Sequence, residues 1–166
     1  MIETVAMLEE KVADCTKTFD DKVSGNDGKR HILLCGGTGC LSSNSKEIKE
    51  KFEAVIAEKN LGDKVTVNLV GCFGFCSQGP FVKIYPENTL YRGVKIEDVE
   101  EIVDTDIVNG QIVERLLYVD PSTNEKITKQ EDITFYKKQR RVATQTPEEN
   151  DLLIAAIRQY LEEAAR

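Results

Sequence analysis

Val5, Leu8, Val12, Cys15 and Phe19 recur at alternating spacings of three and four with charges between them, so residues 2–19 read as an amphipathic helix. Residues 20–30 are polar, carry Gly25 and Gly28, and read as a linker. His31 to Cys35 is a short apolar strand running straight into a glycine-rich turn, Gly36 to Cys40. From Ser45 to Asn60 the period changes to that of a helix: Ile48, Phe52, Val55 and Ile56 share one face, and Gly62 stops it. Val65, Val67 and Leu69 then alternate along a half-buried strand, Lys64 to Val70. A second glycine-rich loop, Gly71 to Pro80, leads into two strands, Phe81–Tyr85 and Thr89–Arg92, joined as a hairpin through Pro86-Glu87-Asn88. Ile96, Val99, Ile102 and Val103 mark a further helix that closes near Asn109-Gly110.

Beyond Gly110 the pattern is less regular. Ile112, Val113, Leu116, Leu117 and Tyr118 suggest a strand over Gln111–Val119, ending at Asp120-Pro121. Phe135 to Arg141 is aromatic and basic. Thr146-Pro147-Glu148-Glu149 opens a helix with a capping threonine, a proline at the first helical position and a glutamate three residues after the cap. Leu153, Ile157, Tyr160 and Ala164 continue it on one face. The expected organisation is therefore an N-terminal helix and linker (1–29), an α/β domain (30–110), an extension (111–145) and a C-terminal helix (146–166). The order β-α-β-β-β-α, with one strand uncertain around the second loop, is that of a small mixed thioredoxin-like sheet flanked by helices. The two terminal helices either pack on this sheet or serve as dimerisation or docking surfaces. The C-terminal one is expected to bury its stripe against protein, helping to make a homodimer.

Composition narrows the function. The 166 residues are 40% hydrophobic, enough for a core without covalent staples. A net charge of −7 argues against a nucleic-acid binder, which needs a basic face, and suits a docking partner with a basic patch. No apolar run approaches the length of a membrane span, and the acidic, amphipathic N-terminus is unlike a secretory signal. A cytoplasmic, reducing location is expected, where five cysteines are metal ligands or free thiols rather than disulfides.

Four of those cysteines form two pairs, C-x4-C at Cys35/Cys40 and C-x3-C at Cys72/Cys76, with 31 residues between the pairs. Each pair sits in a glycine-rich loop at the end of a strand. Parallel strands flanking one helix bring both loops to the same end of a sheet. Four thiolates suit an iron–sulfur cluster or a zinc ion. Structural zinc prefers tight C-x2-C knuckles, and both gaps here are wider, as ligands spread over two irons require. A Rieske centre needs two histidines and His31 is the only one; the C-x-x-C of redox dithiols is absent. A zinc-stabilised interaction domain without redox role remains the alternative.

The run Cys35-Gly36-Gly37-Thr38-Gly39-Cys40, followed by Gly71-Cys72-Phe73-Gly74-Phe75-Cys76-Ser77-Gln78-Gly79-Pro80, resembles the thioredoxin-like [2Fe-2S] ferredoxin domain. The version it resembles stands at the N-terminus of the flavin-bearing beta subunit of NAD(P)-linked, electron-bifurcating [FeFe]-hydrogenases, and it is similar to the cluster subunits of complex I. The likeness runs from about residue 30 to residue 141. It implies one [2Fe-2S] cluster on Cys35, Cys40, Cys72 and Cys76, with Cys15 not a ligand. It also implies single-electron transfer to a redox partner protein or to the other subunits of an oxidoreductase complex. The chain departs from that subunit after Gln139-Arg140-Arg141: no glycine-rich nucleotide cradle occurs and no cysteine follows Cys76. The resemblance thus implies an electron-carrying module, either freestanding or a fragment of a larger flavin-dependent subunit, and not an NADH-oxidising enzyme.

Three smaller features have bland readings. Cys15, on the helical stripe, reads as a small buried hydrophobe. His31 reads as a strand-end residue with a satisfied hydrogen bond, and Lys137 to Arg141 as a solvated linker or a site for an acidic partner.

Overall fold

The computed structural model describes residues 4–138. Its first helix, α1 (Val5–Ser24), begins at Thr4, whose Oγ1 accepts from the Met7 amide at 3.2 Å. It ends at Gly25, whose left-handed φ of 74° closes the helix through an amide bond to the Asp21 carbonyl. The helix therefore runs five residues beyond Phe19, through what reads from composition as linker.

Four strands follow: β1 (Arg30–Cys35), β2 (Val65–Val70), β3 (Val82–Tyr85) and β4 (Thr89–Tyr91). They form one mixed sheet in the order β2-β1-β3-β4. β1 and β2 are parallel, in a register that sets Cys35 opposite Val70. β3 runs antiparallel to β1 and forms the hairpin with β4. No additional strand lies in the second glycine-rich loop, which instead holds a 3-10 turn at Cys76–Gln78. Between β1 and β2 lie a one-turn helix, α2 (Thr38–Leu41), and α3 (Ser45–Glu58). After β4 a continuous helical stretch passes from a 3-10 turn into α4 (Val99–Ile102) and a π-helical turn, Val103–Val108.

One face of the sheet is the core. Ile32 and Leu34 of β1, Val82 and Ile84 of β3 and Tyr91 of β4 pack against Ile48, Phe52, Val55 and Ile56 of α3 and Val99, Ile102 and Val103 of the α4 stretch. The helix residues among them are the ones that the helical period selects. A buried network anchors the far end: Arg30 Nη2 donates to Asp106 Oδ1 at 2.8 Å and Tyr91 Oη to Asp106 Oδ2 at 2.6 Å. Burial raises the Asp106 carboxyl against the opposing pull of Tyr91 and Arg30. His31 is structural, as its sequence context suggests. It is buried, with Nδ1 2.7 Å from Thr66 Oγ1 and Nε2 2.8 Å from Asp27 Oδ2.

Two expectations are corrected. Gln111–Val119 is not one strand: a 3-10 turn occupies Glu114–Leu116, Leu117 makes an isolated bridge to Tyr91, and only Tyr118–Val119 forms a strand. That short β5 (Tyr118–Val119) pairs with β6 (Lys126–Ile127). Val113 and Leu116 are buried three apart, the period of a 3-10 helix, and this defeats the strand reading. Nor is Cys15 buried. It is exposed, as are Leu8, Val12 and Phe19 at 48%, 56% and 60%, so the stripe of α1 has no cover among the described residues.

A second compact unit begins at Thr134. Its described part is α5 (Thr134–Lys137), where the Phe135 and Tyr136 rings meet edge to face at 5.2 Å. The helix expected over 146–166 lies outside the described residues. Among those described, no helix is long and apolar enough to cross a membrane.

Candidate functional site

The parallel register of β1 and β2 brings the two cysteine loops to one end of the sheet. Cys35 is the last residue of β1 and is pinned by three bonds of its neighbourhood. Its amide donates to the Phe81 carbonyl at 3.1 Å, the Gly36 amide donates to the Val70 carbonyl at 2.8 Å, and the buried Ser45 Oγ donates to the Cys35 carbonyl at 2.6 Å. Cys40 sits in α2 and is buried, its turn closed by the Leu41 amide bond to the Gly37 carbonyl at 2.9 Å. A four-residue helix is too short for a periodic signature and follows two glycines, which is why the sequence shows only a loop here.

The second loop is built differently. Cys72, Gly74 and Cys76 are exposed while Phe73 and Phe75 between them turn inward. Phe73 meets the buried Phe81 edge to face at 5.9 Å, and Phe75 stacks on Phe81 at 6.2 Å and approaches Tyr118 at 5.8 Å. Aromatic packing thus holds the backbone of a loop whose thiols stand outward. Gly74 takes a φ of 83°, which only glycine adopts freely, and its amide donates to Cys72 Sγ at 3.2 Å.

The four thiols neighbour one another. Cys35 lies beside Cys40 and Cys72, Cys72 beside Cys76, and Cys76 also acts on Cys40. The sulfurs line a common cradle. Glycines shape it: a Cβ at Gly37 would come within 2.9 Å of Cys72 Sγ, and one at Gly79 within 2.7 Å of Cys40 Sγ. Amides are aimed at the sulfurs, from Phe73 and Gly37 to Cys35, from Phe81 to Cys40, from Gly74 to Cys72 and from Cys76's own backbone to its thiol.

Electrostatics make the cradle a poor place for free thiolates in the absence of a cation. Burial pushes the Cys35 thiol up, yet the amides of Phe73 and Gly37 and its thiol neighbours outweigh burial and bring it below its ordinary value. Cys40 is pushed up to about 12, first by burial and then by Cys35. Cys76 is raised by Cys72 beside it. Cys35 is thus the readiest of these three to ionise, while Cys40 and Cys76 are held towards the thiol. Supplying positive charge between the sulfurs reverses this, so the donor set fits a polynuclear metal centre with amide-bonded sulfurs. Both sequence-predicted pairs are brought together, and Cys15 lies on α1 outside them.

Comparison with known proteins agrees. Residues 4–106 match the family of thioredoxin-like [2Fe-2S] ferredoxins, a span that starts and ends earlier than the motif resemblance of 30–141. A [2Fe-2S] ferredoxin of Clostridium pasteurianum is 45% identical over 96 residues, covering 53% of this chain and 94% of that protein. One from Aquifex aeolicus is 35% identical over 97 residues, covering 53% and 87%. The crystal structure of the wild-type thioredoxin-like [2Fe-2S] ferredoxin from Aquifex aeolicus matches with a TM-score of 0.49 at 32% identity, covering 53% of this chain and 94% of that one. With its mixed α/β sheet, its paired cysteine loops and a family match over more than half its length, the chain belongs to the thioredoxin-like [2Fe-2S] ferredoxins, the electron-transfer proteins that carry one such cluster.

Proposed function

We propose that Cys35, Cys40, Cys72 and Cys76 are the four ligands of the cluster and that the chain passes single electrons within an NAD(P)-linked hydrogenase-type or related oxidoreductase system. The observation that supports the ligand assignment is the gathering of four thiols, with Cys35 beside Cys40 and Cys72, and Cys76 beside Cys72. The two wide cysteine gaps suit two metal ions bridged by sulfide better than one tetrahedral ion. When bound, the cluster supplies a one-electron couple, and the chain does the rest. Gly37 and Gly79 leave room for sulfur. The amides of Phe73, Gly37, Phe81 and Gly74 offset negative charge on it. The inner loop excludes water, and the exposed outer loop is where a partner reaches the cluster. The hydrogenase context rests on the residue-by-residue likeness of the two cysteine motifs and on the segment Val113 to Tyr118.

Anaerobic purification with iron, sulfide and zinc analysis tests the first part. Two irons and two sulfides per chain are expected, with a paramagnetic one-electron reduced state; zinc alone, or four irons, overturns it. The context is tested by mixing the oxidised protein with NADH, alone and with a flavin-bearing NAD(P)-linked hydrogenase. Bleaching is expected only with the enzyme present, and reduction by NADH alone refutes the modular reading.

A further inference from the structure

The two cysteine loops carry no ionisable side chain other than their thiols: residues 35–45 and 69–82 contain no Asp, Glu, Lys, Arg or His. One charged group is nevertheless tied to them. Arg92, just after β4, is half-buried and donates from Nε to the Leu117 carbonyl and from Nη1 to Gln78 Oε1, both at 3.2 Å. Gln78 closes the 3-10 turn that starts at Cys76. The same turn is fastened from the backbone, since the Gly93 amide donates to the Gln78 carbonyl at 2.9 Å and the Val94 amide to the Pro80 carbonyl at 3.1 Å.

What sets Arg92 apart is what it lacks. The other arginines of the described chain are matched with carboxylates, Arg30 with Glu87 and Asp106, and Arg115 with Asp98 and Glu101. Lys51, Lys59 and Lys126 are likewise paired. In an acidic protein with carboxylates to spare, Arg92 has none among the described residues, and its bonds to Leu117 and Gln78 go to neutral oxygens. Withdrawing a cation from water without a counter-charge is costly, and a neutral amide recovers only part of that cost. Two ferric ions, two sulfides and four thiolates sum to a dianion, and one-electron reduction makes it a trianion.

We propose that Arg92 is the counter-charge of the cluster, held against the Cys76 turn by Gln78, and that it favours the reduced state. The inference rests on the ligand assignment above. Arg92 touches no reacting atom; it is a positioning and tuning residue. It acts through the field of its guanidinium on the extra electron and through the tether that fixes the outer loop.

The test is the reduction midpoint of Arg92→Gln, Arg92→Lys and Gln78→Glu, measured by spectroelectrochemical titration of anaerobically prepared protein. At a fixed solution potential, Arg92→Gln should lower the ratio of reduced to oxidised cluster about tenfold, which for one electron is a midpoint ~59 mV more negative. Gln78→Glu keeps the tether but cancels the charge, and it should lower the ratio by a similar factor even where Arg92→Gln fails to load. Arg92→Lys should stay within about threefold of the parent, because the charge survives. A purely structural role would instead make Arg92→Lys lose iron and leave the midpoint of loaded Gln78→Glu unchanged. In the metal-free chain, Gln78→Glu should keep or raise the melting temperature, since it gives the guanidinium its carboxylate. Unchanged midpoints in both Arg92→Gln and Gln78→Glu, or a lowered melting temperature of metal-free Gln78→Glu, overturn the proposal. A parent protein without iron or sulfide would defeat the cluster reading itself, a result separate from either.

Discussion

Cys35 and Cys40 are 1% and 2% exposed, whereas Cys72 and Cys76 stand in solvent, although the loops that carry them leave neighbouring parallel strands at the same end of one sheet. The inner loop is continuous with the core. Its strand is central, its carbonyl is held by a buried serine, and the helix that follows starts beneath it. The outer loop leaves the edge strand β2 and is laid over the inner one, fixed by Phe73 and Phe75 rather than by burial of its thiols. The lesson is a division of labour: one pair is placed by the fold and shielded, the other is placed by side-chain anchors and presented.

The largest expected difference is between ligand replacements. Cys35→Ser should purify with less than about a tenth of the parent's iron, because it leaves the amides of Phe73 and Gly37 aimed at a weaker ligand in a buried position. Cys76→Ser should retain a clearly larger share with a shifted visible spectrum, since an exposed site can readjust around oxygen. Equal loss in both would erase the distinction between the loops.

A smaller effect separates glycines by the room they leave. Gly37→Ala and Gly79→Ala each push a methyl group to within 3.0 Å of a cysteine sulfur and should speed iron loss to a chelator roughly tenfold or more. Gly39→Ala meets Cys76 only at ordinary contact, 3.5 Å to its Cβ, and should behave as the parent. Smaller again is Ser45→Ala, which orphans the buried Cys35 carbonyl. It should cost about 1–3 kcal/mol of unfolding free energy, read by denaturant titration of the metal-free chain. At the bottom of the scale, Cys15→Ala on the exposed face of α1 should leave the cluster's spectrum unchanged.

Much of this arrangement is legible before folding because spacing carries it. The strand that ends in Cys35, the helical period of Ile48, Phe52, Val55 and Ile56, and the two wide cysteine gaps each name their element by chemistry that is local in the chain. What is not legible depends on partners distant in sequence. Nothing in the pattern of α1 says whether its stripe is covered, so Cys15 reads as buried when it is exposed. Val113 and Leu116 look like strand residues until the 3-10 turn Glu114–Leu116 is seen. Arg92 reads as the polar end of a hairpin strand, and only its bonds to Gln78 and Leu117 distinguish it from a solvated charge.

The phenylalanine anchors also bear on how the protein is filled. Gly37 lies directly under Cys72, so the inner sulfurs are closed over by the outer loop before any metal arrives. On the proposed ligand set, iron and sulfide would reach Cys35 and Cys40 by lifting that loop, which would detach Phe73 and Phe75 from Phe81. The stacking that steadies the loop is then also a latch on the empty protein.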